Sequence, residues 1–141
     1  MYQKDYILRM IAMLMKFLGE LFGLIKKGDL NQAADKLESG YNTFLREDAG
    51  FFYNIPADNL TQKLLKDHNY TSGHLEILAE LFNAEAELKL AQNDMPGCLE
   101  FSGKSLILFE FVDKEFRTYS EVRIRKMAEI RSRITKLSST L

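Results

Sequence analysis

The sequence predicts an all-α fold, a bundle of five to six antiparallel helices in one domain covering residues 1–141, and three observations predict it. Leu occurs 21 times and Val only twice, whereas a sheet would draw on β-branched residues. Apolar residues recur at spacings of three and four, and no stretch alternates cleanly over six residues. The chain has 141 residues, 46% of them apolar, with 19 Lys and Arg against 20 Asp and Glu. A domain of that size buries roughly 70% of the surface its unfolded chain exposes, enough for one core without staples.

The first helix runs over residues 2–27 and is apolar around much of its circumference, through Tyr6, Ile7, Met10, Ile11, Leu14, Phe17, Leu18, Leu21, Phe22 and Ile25. Such a helix has to be covered on several sides. Gly28 stops it, and Asp29 with Gln32 three residues later starts a second helix through Arg46, so the two form an antiparallel hairpin. Residues 47–59 hold charges, Gly50, three adjacent aromatics and Pro56, and are not one regular element. Pro56 suits the first turn of a short helix ending near Asp67. Residues 69–73 form a turn, and Thr71 or Ser72 caps a fourth helix carrying Leu75, Leu78, Leu81, Phe82, Leu88 and Leu90. After Asn93 and Asp94, Pro96 opens a fifth helix over residues 95–111, and a last helix covers residues 116–137, with a break placed between Asp113 and Tyr119.

The two long hairpins resemble each other. Lys27-Gly28-Asp29-Leu30, followed by Ala33 and Phe44, lies 65 residues before Gln92-Asn93-Asp94-Met95, followed by Cys98 and Phe109; Gly40 and Ser105 also correspond. This pattern resembles the second half of a tetratricopeptide repeat, in which small residues let paired helices approach; a tandem array would instead show a period of about 34 residues. The opening, Met1 to Ile11, with Ile25-Lys26-Lys27-Gly28-Asp29, resembles a family of small bacterial proteins that form a domain of unknown function. That resemblance implies an all-helical, tetratricopeptide-like fold in a bacterial cytoplasm, and brings no active-site residues with it.

Composition excludes several classes of function. One cysteine, Cys98, cannot form an intramolecular disulfide or a multi-cysteine metal site. A net charge of −1 argues against a globally basic nucleic-acid binder. Arg9, Lys16 and Glu20 interrupt the apolar first helix, so it reads neither as a signal peptide nor as a membrane span, and a cytoplasmic protein is expected. The histidines, His68 and His74, are six apart and lack the spacing of three or four that joins ligands on a helix face, so no metal is expected. Cys98 has no His aligned by a local pattern and reads as a buried structural residue. Gly19 and Gly23 fit no phosphate loop. No catalytic residue and no cofactor are expected, and the chain reads as a non-enzymatic protein-interaction or scaffold module.

Three features are candidates for that interaction. From Lys114 onward the chain carries +5, against −6 before it, and Arg125, Lys126, Arg133 and Lys136 gather on one side of the last helix. That face either binds an anionic partner such as RNA or is a solvated helix whose cations suit its own C-terminal dipole. Arg123 projects near the apolar stripe and should pair with a carboxylate or lie at an interface. Phe51, Phe52 and Tyr53 either offer an apolar contact to a partner peptide or fold back over the gap between hairpins. Gly19 and Gly23 put a flat strip on the first helix, which seats a helix of the same chain or a second copy. A partner segment would lie in a groove between helix pairs, framed by the aromatic segment and the basic helix.

Overall fold

The computed structural model describes residues 2–116 and 120–140 as helices α1 (Tyr2–Lys27), α2 (Leu30–Leu45), α3 (Ala49–Tyr53), α4 (Leu60–Asp67), α5 (Ser72–Ala91), α6 (Met95–Phe116) and α7 (Glu121–Ser138). Among these residues there are seven α-helices and no strands, one helix more than the upper count expected from sequence. The extra one is α3, a single turn inside the segment that reads as irregular. Pro56 holds an extended ψ of 148° and precedes a 3-10 turn over Ala57–Asn59, so α4 begins at Leu60 rather than at Pro56. α6 continues to Phe116 instead of ending at Phe111, and α7 starts at Glu121, where the Ser120 hydroxyl accepts from the Arg123 amide. Asp113 to Phe116 are therefore helical, and the rest of the expected break, residues 117–119, lies outside the described residues.

α5 organises the bundle. Thirteen of its residues are buried, so it is covered on nearly all sides, by α6 most extensively and by α2 and α1. α7 packs on α6. The core joins Leu14, Leu18 and Leu21 of α1 to Leu37, Tyr41 and Phe44 of α2, Leu78 and Phe82 of α5, and Leu108 and Phe109 of α6. No described helix is long and apolar enough to cross a membrane.

The hairpins α1–α2 and α5–α6 repeat each other in backbone detail. Gly28 and Asn93 both take left-handed conformations, with φ of 82° and 62°. Their amides bond to Ile25 and Leu90 carbonyls, and the amides of Asp29 and Asp94 reach back to Leu24 and Lys89, at matching offsets. Ala33 and Cys98, the corresponding small residues, are both fully buried.

Close approach within the chain is provided by other glycines than the sequence suggests. A Cβ on Gly40 would sit 2.6 Å from the Phe17 ring, and one on Gly73 would meet Ile7. Around Gly19 and Gly23, by contrast, nothing lies within 4 Å of a Cβ position. The expectation that they seat a helix of the same chain is thus corrected: α2 and α5 cover other faces of α1. Because a helical glycine with open space costs stability, Gly19→Ala and Gly23→Ala are each expected to stabilise dilute protein by about 0.5–1 kcal/mol. Urea denaturation checks this, and a loss of stability would contradict it.

Candidate partner groove

α5 carries one polar stripe, Glu76, Glu80, Asn83 and Glu87, whose spacings of four, three and four put them on one face. α7 meets that stripe with its cations. Arg123 is 4% exposed; its Nε donates to Asp113 Oδ1 at 3.1 Å and its Nη1 to Glu76 Oε1 at 3.2 Å. This is the carboxylate pairing expected of a guanidinium beside an apolar stripe. Arg133 donates from Nη2 to Asn83 Oδ1 at 2.7 Å and from Nε to the buried Ser102 hydroxyl at 3.0 Å.

Glu80 is the exception in this seam. It is 8% exposed, and Lys126 Nζ lies 3.4 Å from its Oε1, near enough for attraction but so placed that Oε1 accepts no hydrogen bond. Burial pushes the Glu80 carboxyl above its ordinary value, Lys126 opposes the shift, and Glu76 and Glu129 add to it. Glu87 is raised for the same first reason, with Arg133 and Lys126 opposing.

These side chains lie along a groove with α1 and α7 as walls and α5 as floor. At one end is a cavity of about 350 Å³ lined by Ile11, Leu14 and Met15 from α1, Glu76, Ile77 and Glu80 from α5, and Val122 and Arg123 from α7, with Ser120 just before it. Toward the other end the groove widens between Phe22 and Ile25 on one side and Lys126, Glu129 and Arg133 on the other. Met15 and Val122 are 45% and 53% exposed, so the cavity has an apolar rim.

The four cations nominated from the sequence are therefore divided. Lys126 and Arg133 turn into the seam, while Arg125 and Lys136 stay exposed. Arg131 pairs with Glu110 of α6 at 2.9 Å.

The aromatic segment turns inward, which corrects its reading as an exposed contact. Phe52 is fully buried and stacks on Tyr41 with ring centres 5.6 Å apart; Phe51 is half-buried beside His68. Tyr53 packs edge-on against Tyr41 and Phe101. The hydroxyls of Tyr41 and Tyr53 both donate to Oε1 of Glu85, a carboxylate 3% exposed. Lys104, 4% exposed, donates to the Tyr53 carbonyl at 3.1 Å and pairs with Glu100. The segment closes the gap between α2, α5 and α6, as its alternative reading has it. Burial first, then the Glu85 charge, raises both tyrosines above their ordinary value, and burial raises Glu85 while the two hydroxyls hold it down.

The remaining candidates have local roles. His74 Nδ1 accepts from the Thr71 amide at 3.0 Å while Thr71 Oγ1 accepts from the His74 amide, a reciprocal cap on α5. Burial lowers the His74 value, consistent with a neutral ring serving as acceptor. Cys98 is fully buried with Sγ 3.9 Å from the Ser102 hydroxyl.

Sequence reasoning missed two groups. Glu76, Glu80, Asn83 and Glu87 recur at helical spacing on one face of α5, a signal present in the sequence, but their match to Arg123, Lys126 and Arg133 emerges only from the packing of α7. Glu85 had no such signal, because its tyrosine partners lie 44 and 32 residues away. No protein-family model, curated protein or solved structure matches the chain.

Proposed function

We propose that the chain is a non-catalytic helical interaction module, built on two tetratricopeptide-like hairpins, that receives an amphipathic helix of a partner protein in the groove between α1 and α7. The carrying observation is Glu80. A buried carboxylate oxygen without a hydrogen bond is costly, and the Glu80 side chain that carries it also lines a mainly apolar cavity, beside Glu76, Ser120 and Arg123, where a partner's cation would add to the charge that Lys126 already supplies. Such a helix would bury its apolar face against Ile11, Met15, Ile77 and Val122 and present one Lys or Arg to Glu80. The turns shared by the two hairpins support the tetratricopeptide-like reading, and the opening residues fit a protein of a bacterial cytoplasm.

A library of displayed helical peptides tests the proposal. Enriched sequences are expected to carry apolar residues at helical spacing plus one cation, and to lose binding to Met15→Glu and Val122→Glu. Enrichment without apolar periodicity, or binding unchanged in both variants, would contradict it. The rival use of α7 as an anion-binding face is left with Arg125 and Lys136. RNA binding that falls steeply with salt and is lost in Arg125→Glu/Lys136→Glu would favour the rival.

A further inference from the structure

Resting on the groove reading above, we propose that occupation of the groove exchanges one ligand for another at the Glu80 carboxyl: the cation of the incoming helix displaces a proton, so the partner is held near neutral pH and released on acidification.

The surroundings of Glu80 leave room for such a cation. Its side chain is 8% exposed, and its Oε1 accepts no hydrogen bond although Lys126 Nζ lies 3.4 Å away. On its own helix Glu76 lies one turn back, with its Oε1 on Arg123 at 3.2 Å. From α6, Asp113 takes the same guanidinium at 3.1 Å. α7 adds Glu129, whose charge acts against that of Glu80. The α1 wall of the cavity, Ile11, Leu14 and Met15, brings no charge. Glu76, Glu80, Asp113 and Glu129 therefore face only Arg123 and Lys126, and further along Glu87 and Arg133 offset each other. A cation brought from outside reduces that acidic excess.

The direction of the proton follows. Burial first, then Glu76 and Glu129, hold the free Glu80 carboxyl above its ordinary value of 4.5, against the pull of Lys126. A partner's cation beside it favours the charged form and brings that value down, so between the two values the free protein carries a proton that the complex releases. Affinity rises with pH through that window and levels off above it. An apolar helix with no cation at this point does the opposite. It strips water from Glu80 without compensating the charge, and binding takes a proton up. The sign of the proton exchange thus reports whether a cation meets Glu80.

Calorimetric titration tests this on the full chain with a helical peptide enriched from the displayed library, capped at both ends and remade without Asp, Glu or His, so that the protein supplies any group that titrates. Runs in two buffers of different ionisation enthalpy, from about pH 4.5 to about pH 7, count the protons exchanged. Net release is expected, with affinity falling about tenfold from pH 7 to pH 5. Glu80→Gln, which keeps the size of the side chain, is expected to remove both effects, and Glu87→Gln to leave both in place; the wild-type count stands without either variant. No exchange, proton uptake, or release that persists in Glu80→Gln would overturn the proposal. The Met15 methyl reports occupation separately: a peptide that moves it without releasing a proton overturns the exchange and leaves the groove standing, and one that binds without moving it overturns both.

Discussion

Replacing both hydroxyls in the Glu85 cluster, Tyr41→Phe with Tyr53→Phe, is expected to destabilise the fold by about 4 kcal/mol at pH 7, because it leaves a buried carboxylate with neither of its tyrosine donors. Packing is nearly unchanged, since both rings remain, so the loss measures the hydrogen bonds and the charge. A domain this size commonly holds about 5–15 kcal/mol, so much of its margin would go. The pH dependence has a definite sign. Burial raises Glu85 above its ordinary value of 4.5, so the folded state holds a proton that the unfolded state releases between those two values. Stability falls as pH rises through that window and is regained below it. Losing the donors raises the folded value further, so the deficit should shrink as pH falls toward 4.5. Denaturant titrations at pH 7 and pH 5 check this; a loss near zero, or one independent of pH, would show that Glu85 finds other partners.

The second large effect is at the groove floor. Lys126→Met removes the cation beside Glu80 and is expected to cost about 3 kcal/mol at neutral pH, since a carboxylate 8% exposed is left without that charge. Glu80→Leu should instead be neutral or stabilising, because the replacement suits Leu14 and Ile77 and removes an oxygen that makes no hydrogen bond. The double variant should recover what Lys126→Met loses. The stability cost of keeping Glu80 would then match a role in binding, and selected helices should lose affinity for Glu80→Leu despite its intact fold. A Glu80→Leu variant less stable than wild type by more than about 1 kcal/mol would make Glu80 a structural residue.

The helical class and most helix positions were legible because the evidence for them is local: the Leu-rich periodicity, Gly28 and Asn93 at the hairpin turns, and the Thr71 cap. Errors fell where local rules compete. Pro56 fits a first helical turn and also an extended residue before a 3-10 turn, since its φ near −62° suits both, and the chain takes the latter. Gly19 and Gly23 read as an internal contact because spacing shows that a strip is flat without showing which side faces the bundle. The groove was least legible. Its walls come from the two ends of the chain and its floor from the middle, so no stretch of sequence contains it. The basic bias of α7 was visible, but it took the positions of Glu76, Glu80 and Asn83 to show that Arg123, Lys126 and Arg133 face inward.

The groove is tested most directly by methyl NMR of methionine-labelled protein titrated with a helix selected on it. Met15 lines the cavity, Met13 is 56% exposed on another face of α1, and Met127 is buried in α7. Occupation of the groove should move the Met15 resonance strongly and saturably while Met13 stays in place. A Met13 shift with Met15 unmoved would put the partner on another face and contradict the groove as the binding site.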